Sequence, residues 1–271
     1  LMRSSAASDV YKRQILYIGL VMIMKLSILH INNTHLTLDK DFSLINKIKE
    51  ENKKRVIETL VLGDGNSIFN NIKHKNDEQD LLNTFPFDAT TLGSHQFDEG
   101  SKGIVENLNK INFPILAANV NFEDDKLLNP LVKEGKFIPY LLKNTTSGKK
   151  IGIFGLTTMD IVYRSHPSAE TIFSNPFDKA DFIVKRLKNL GVDVIILLSQ
   201  LGEEMNQMLA QQFLEIDIII DKPVGTSGKK VEKCGNTLII QSETDNYSLI
   251  ESEINIDDEG NLLFIQENNY V

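Results

Sequence analysis

The residues able to do chemistry in this chain collect in short polar clusters, each directly after an apolar run. They are His30-Ile31-Asn32-Asn33-Thr34-His35, Gly63-Asp64, the stretch from Gly93 through Ser94, His95, Gln96, Phe97, Asp98 and Glu99 to Gly100, then Ser199-Gln200-Leu201-Gly202, and Asp221-Lys222-Pro223-Val224-Gly225-Thr226. Imidazoles and carboxylates so placed offer proton transfer and metal ligation. The glycine turns Gly63–Gly65 and Gly225–Gly228, with Lys222, Lys229 and Lys230 nearby, offer backbone N–H groups that can cradle an anion. Other polar residues read as structure. His30 lies mid-strand and is expected in the core. His74 and His166 lack a partner at metal-ligand spacing. Asp88 and Asp217 precede apolar strand residues and are expected to cap or turn the chain.

The elements that must position these clusters follow from periodicity. Strands are expected at Leu26–Ile31, Val56–Leu62, Asp88–Leu92, Phe113–Asn119, Ile151–Leu156, Val192–Ser199 and Ile216–Ile220. Helices are expected at Phe42–Asn52, Lys102–Asn109, Ala180–Leu190 and Glu203–Phe213, the third closed by Gly191. Val192–Ser199 is β-branched and leucine-rich apart from Asp193, the mark of a strand buried on both faces. Asn236–Gln241, Ser248–Ile256 and Asn261–Gln266 read as an antiparallel C-terminal section, separated by turns such as Asp258-Glu259-Gly260. The pattern is α/β with layered sheets, and ligands in such folds gather at the carboxyl ends of strands, where the polar clusters stand.

Bulk composition narrows the classes. The chain has 271 residues, 41% of them hydrophobic, a net charge of −8 and one cysteine, Cys234. That length suits one large domain. The acidic balance argues against a nucleic-acid partner, which needs a basic stripe. A single cysteine excludes an intrachain disulfide and a cysteine-based zinc site. Residues 1–24 are expected to be a non-native or poorly structured extension, and 25–271 the domain. Met2–Gln14 resembles read-through of sequencing-adapter DNA, and a native start at Met22 or Met24 fits better. Ile15–Met24 is apolar behind Lys12 and Arg13, as in a signal peptide, but too short to span a bilayer. With no small-x-small cleavage site following, a cytoplasmic location is expected, secretion or a cell-surface location being the alternative if that run is a signal.

The order and framing of the clusters resemble the 5′-nucleotidase and UDP-sugar hydrolase branch of the calcineurin-like metallophosphoesterases. The matching frames are ILHINNTH, VLGD, FDATTLGSHQFDEG, FPILAANV, IGIFGLTT, VDVIILLSQLG and the IDIII run before Gly225-Thr226. The resemblance implies a metallo-dependent phosphatase-like α/β/β/α sandwich with two mixed sheets. It implies a site holding two divalent metals (Mn, Zn or Mg) about 3.5–4 Å apart that activate water and clamp phosphate, and a nucleotide or other phosphate ester as partner. His95 and Asp98 match the family's His-x-x-Asp pair, in which the histidine stabilises or protonates and the aspartate orients it. His35 and Asp64 match metal ligands. Asn33, Ser94 and Gln200 stand where the family has aspartate, asparagine and histidine, and Pro223 and Gly225 where it has two histidines.

With the ligands so reduced, a dinuclear metal pair is expected to be lost, and the domain to be inactive or weakly active. Two alternatives stand beside that reading. One is a phosphomonoesterase using a single metal at Asp64 and His35, or at other ligands such as Asp221 or Glu203. The other is a metal-free module that binds phosphate, a nucleotide or a protein partner. Related nucleotidases bind the nucleoside base with a separate C-terminal domain, which is not expected within the sequence up to Val271.

Overall fold

The computed structural model describes residues 23–32, 38–63, 65, 86–109, 111–221, 230–241, 248–257 and 259–270. In chain order the elements are β1 (Met24–Asn32), α1 (Leu38–Lys54), β2 (Glu58–Gly63), β3 (Ala89–Thr91), a 3-10 turn (Ser94–Phe97), α2 (Gly100–Leu108), β4 (Ile115–Leu116), β5 (Val120–Asn121), α3 (Asn129–Lys133), β6 (Phe137–Ile138), β7 (Tyr140–Asn144), β8 (Lys150–Thr157), α4 (Ile161–Arg164), β9 (Ile172–Phe173), α5 (Pro176–Asn189), β10 (Val194–Gln200), α6 (Glu203–Gln212), β11 (Ile218–Asp221), β12 (Lys230–Cys234), β13 (Thr237–Gln241), β14 (Ser248–Ile256) and β15 (Leu262–Tyr270). None of the described helices is long and apolar enough to cross a membrane.

The strands form two large mixed sheets. The first has the order β15-β14-β1-β2-β3-β4-β6, the second β12-β13-β11-β10-β8-β7. Strands β1, β2, β3, β4 and β6 run parallel, as do β8, β10, β11 and β13. Antiparallel strands close the edges at β14 and β15 on one sheet and at β7 and β12 on the other.

Side-chain alternation sorts the apolar residues into three cores. Leu26 and Ile28 of β1, Leu60 and Leu62 of β2, Ile153 of β8, Val194, Ile196 and Leu198 of β10, and Ile218 and Ile220 of β11 pack between the sheets. Leu29, Ile31 and Val61 face α1 and α2. Ile195, Leu197 and Ile219 face α5 and α6. The layers therefore run helix, sheet, sheet, helix, as expected. Each such Leu or Ile fully buried contributes about 1.5–3 kcal/mol, so a one-residue slip in register, which would turn a strand's core side chains to the wrong face, is strongly disfavoured.

Of the boundaries that differ from the sequence reading, three have a clear physical reason or consequence. The first strand already includes Met24, which is buried. The second begins at Glu58 rather than Val56. Val56 has φ 57° and is 77% exposed. It closes α1, where the Ile57 and Val56 N–H groups bond to the Asn52 and Lys53 carbonyls at 2.9 and 3.2 Å, a helix-ending turn in which glycine is the usual residue. The apolar run Phe113–Asn119 gives only the short strand β4, because the chain then passes between sheets. The Ala117 N–H bonds to Ile138 of the first sheet at 2.9 Å, and the Ala118 N–H to Gly155 of the second at 3.0 Å.

At this crossing the sheets approach closely. A Cβ on Gly155 would lie 2.4 Å from the Leu116 carbonyl oxygen and 2.5 Å from the Thr91 hydroxyl. Only glycine fits there, and the contact holds the carboxyl ends of β3 and β4 against β8.

Candidate functional site

The third cluster is held on a 3-10 turn directly after β3. His95 Nδ1 lies 3.0 Å from Asp98 Oδ2, and the two side chains are 48% and 40% exposed. A carboxylate facing Nδ1 favours the tautomer that carries its proton there and leaves Nε2 as the basic ring atom. Phe97 anchors the turn from below: it is 1% exposed and packs its ring against Phe122 and Phe173. The spacing of three therefore puts the imidazole and carboxylate on the open side of a turn whose apolar residue fills the core.

Gln96 ties this turn to its neighbour. Its Oε1 accepts the Gly93 N–H at 2.5 Å, and its Nε2 donates to the Gly65 carbonyl. Gly65 has φ 85°, and a Cβ there would lie 2.3 Å from the Thr91 carbonyl oxygen. The described flanks of the Gly63-Asp64-Gly65 loop are thus pinned on both sides, by pairing of Gly63 with Thr90 and by Gln96 at Gly65.

The fourth cluster ends β10. Gln200 is its last residue, in register with Thr157 of β8. Alternation from Val194, Ile196 and Leu198 puts Gln200 on the face between the sheets. Ser199 points the other way and donates to Asn206 Oδ1 of α6 at 2.6 Å. Asn119 braces the same rim: its Nδ2 donates to the Thr157 carbonyl at 2.8 Å and its Oδ1 accepts the Thr157 N–H at 2.9 Å.

The other sequence-derived residues divide as follows. Asn33, His35, Asp64, Pro223, Gly225, the Gly225–Gly228 turn, Lys222 and Lys229 lie outside the described residues, as does His74. Ser94 opens the 3-10 turn, half-buried. Asp221 is the last residue of β11 and is buried. It follows Ile219 in the alternation and so faces the helix layer, on the opposite side of the sheet from Gln200. The expectation that Asp221 reaches the site is corrected: it sits one residue out of phase. Glu203 is exposed at the start of α6. Among the described residues no three His, Cys, Asp or Glu side chains come together in a metal-holding group.

Asp88 and Asp217 are structural, as expected. Asp88 accepts the Val61 N–H at 2.8 Å and pairs with Lys143 at 2.6 Å. Asp217 accepts the Ile195 N–H at 2.7 Å, and burial pushes its carboxyl up to about 6, only partly opposed by that bond and by Lys188. His30 is buried in β1.

Sequence reasoning missed Gln96, Asn119 and Ser165. Gln96 stands in view inside the third cluster, and Asn119 inside the FPILAANV frame. The Ser165 hydroxyl lies 3.0 Å from Asp98 Oδ1 and 2.8 Å from the Ser94 carbonyl oxygen. Nothing local in the sequence marks that contact, since it joins residues far apart in the chain.

No family model matches the chain. It is 31% identical over 219 residues to the NAD 5′-nucleotidase of Haemophilus influenzae, an alignment covering 73% of this chain and 35% of that protein. The solved structure of that NAD nucleotidase superposes with a TM-score of 0.76 at 24% identity, over 92% of this chain and 56% of the other. The calcineurin-like phosphoesterase YfkN of Bacillus subtilis gives a TM-score of 0.64 at 19% identity, over 92% and 90%. The four-layered fold is therefore that of the calcineurin-like phosphoesterase superfamily. Within it the relatives and structural neighbours are 5′-nucleotidases. Measured against full-length proteins, the chain spans 35% of that NAD 5′-nucleotidase and 18% of the trifunctional nucleotide phosphoesterase protein YfkN, whose solved structure above is a shorter chain.

Proposed function

We propose that this chain is a phosphoesterase domain of 5′-nucleotidase descent whose carboxyl-end rim receives nucleotides or related phosphate esters, with little or no hydrolysis remaining. The observation that carries the reading is a contrast on that rim. The His95–Asp98 pair is formed and open to solvent, while a neutral amide, Gln200, ends β10 facing the cleft between the sheets.

A dinuclear divalent pair does not fit the donor set. Two dications close together need anionic ligands, above all a shared carboxylate. Ser94 and Gln200 bring a hydroxyl and an amide, and Asp221 is turned to the helix layer. In sequence, Pro223 and Gly225 have no side-chain donor, Asn33 is neutral, and His35 and Asp64 alone keep the family's residues. Even changes outside the first ligand shell cost about 10–100-fold in affinity or activity, and this chain alters several ligand positions together.

What the remaining side chains can do is bind and move a proton. His95 Nε2, once protonated, can donate to a phosphoryl or leaving oxygen, with Asp98 holding the opposite ring nitrogen. Asp98 is oriented for this by its own contacts and does not need to give up a proton. The test is metal content by elemental analysis after soaking the purified protein in Mn²⁺ and Zn²⁺, beside AMP hydrolysis in the same preparation. The expected result is well below one metal per chain and trace turnover. A stoichiometry near two with robust hydrolysis overturns the reading.

A further inference from the structure

The Ser165 hydroxyl reaches the His95–Asp98 pair from outside the motif that carries it. We infer that Ser165 is a positioning residue for that pair, holding Asp98 so that His95 keeps its proton on Nδ1 and presents Nε2 as the proton-transfer atom. The inference rests on the reading of His95 as the proton-transferring group and extends it to a residue from another part of the chain.

The geometry is a clamp. Each oxygen of the Asp98 carboxylate has a partner: Oδ2 faces His95 Nδ1 at 3.0 Å, and Oδ1 faces Ser165 Oγ at 3.0 Å. A side chain that is 40% exposed otherwise has several rotamers open to it, and fixing one costs entropy that a contact must offset. With both oxygens held, rotation that would release the ring nitrogen also breaks the serine contact. Ser165 Oγ is also 2.8 Å from the Ser94 carbonyl oxygen. One hydroxyl proton is thus shared between two acceptors at opposite ends of the 3-10 turn, which the serine spans like a strut.

The clamp is itself built on the core. Ser165 is the C-cap directly after α4, and its N–H bonds to the Ile161 carbonyl at 3.0 Å. Ile161 is fully buried in the same apolar cluster as Phe97. The next residue adds a backbone tether, His166 N–H to the Phe97 carbonyl at 3.1 Å. Both halves of the contact therefore descend from one packed cluster, and their separation is set by packing. A substitution that preserves shape keeps those tethers and removes only the hydroxyl.

The experiment reads the His95 ring directly. Long-range ¹H–¹⁵N spectra of the whole chain, recorded across a pH series, distinguish the two neutral tautomers of the ring. Wild type is expected as the Nδ1–H form. Ser165→Ala is expected to give a mixture, and Ser165→Thr to restore the single form. Should alanine loosen the loop, Ser165→Val against Ser165→Thr repeats the contrast, because the two differ in the hydroxyl and hardly in shape. In parallel, residual AMP hydrolysis should fall about 10-fold in kcat with KM nearly unchanged in the alanine variant, and recover in the threonine variant. An unchanged ring tautomer in Ser165→Ala overturns the inference. Absence of turnover in every protein, wild type included, removes the hydrolytic reading alone, and the ring spectra still decide what Ser165 does.

Discussion

Two carboxylates show how differently this fold treats negative charge. Glu251 lies in β14 on the helix side of the first sheet and is 3% exposed. Four donors surround it: Ser27 at 2.7 Å, Asn52 at 2.9 Å, Tyr270 at 2.8 Å and Asn268 at 3.2 Å. Asp98, by contrast, has a serine and a histidine, and 40% of its side chain meets solvent. Around Glu251 both oxygens are filled from within, which leaves no valence for a substrate. At Asp98 one hydrogen bond runs to a ring whose side chain is 48% exposed. A buried, saturated polar group marks structure. An open pair braced from behind is what the proposed proton-transfer role of His95 and Asp98 requires.

The largest expected effect comes from breaking the saturated side. Glu251→Ala leaves four buried or half-buried donors without their acceptor and should cost about 3 kcal/mol of unfolding free energy, read by urea titration. Burial alone raises the Glu251 carboxyl, but the bonds from Asn52, Ser27, Tyr270 and Asn268 outweigh it and hold the group below its ordinary 4.5. The sign follows. A depressed folded value means the stabilisation is present above about 4.5 and is lost as pH falls through the folded value. Glu251→Gln should therefore be less stable than wild type at neutral pH and lose less on acidification. Parallel acid unfolding curves for the two proteins would show that the network does not depend on the charge.

Gly65→Ala should come next, at about 2–3 kcal/mol. The residue has φ 85°, and an added Cβ meets the Thr91 carbonyl oxygen at 2.3 Å. Part of the cost is the left-handed backbone, and the rest is displacement of a strand end. Because Gln96 joins Gly65 to the His95 turn, this substitution should also disturb the His95 ring signal, whereas Glu251→Ala should leave it in place. Loss of stability with an unchanged His95 signal would separate the two loops that Gln96 joins.

A smaller effect of opposite sign is expected at Asp217. Its folded carboxyl stands at about 6, chiefly through burial. A raised value means that its contribution is fully present below the unfolded value of 3.8 and is lost as pH rises through about 6. At neutral pH the buried charge is a burden. Asp217→Asn keeps an acceptor for the Ile195 N–H and should stabilise the protein by about 1–2 kcal/mol at pH 7, with the gain shrinking toward pH 4. A gain that does not change between pH 4 and 7 would place its origin outside this carboxyl.

These contrasts also mark what sequence can and cannot yield. The layers are legible because period and burial agree: the expected strand Val192–Ser199 is observed as Val194–Gln200, with both faces covered. Helix α5 begins earlier than periodicity alone suggests. Asn175 before Pro176 is its start signal, and the Asn175 side chain accepts the Phe177 N–H at 2.8 Å. Strands β6 and β7 escape a sequence reading because partial exposure and Lys143 blur their alternation. At the site, His95 and Asp98 are legible because each finds its partner three residues away. Ser165 is not, because its contact exists only after α4 packs on the Phe97 cluster. Asp221 misleads because proximity along a strand says nothing about phase, and one residue decides which face a side chain takes.

The smallest stability effect, and the sharpest separation of the two carboxylates, is expected at Asp98 itself. An exposed pair of this kind contributes little to folding, since solvent screens it and holding two side chains in place costs entropy. Asp98→Asn should therefore change the unfolding free energy by no more than about 0.5 kcal/mol. Its effect belongs to the ring. An amide can offer Nδ1 either a donor or an acceptor, so this variant should lose the fixed Nδ1–H tautomer while keeping its fold. Residual phosphoester hydrolysis should fall at least about 10-fold with it. If Asp98→Asn instead destabilised the protein as strongly as Glu251→Ala, Asp98 would belong with Glu251 as a structural acceptor, and the open ring of His95 would be an accident of a well-tied turn.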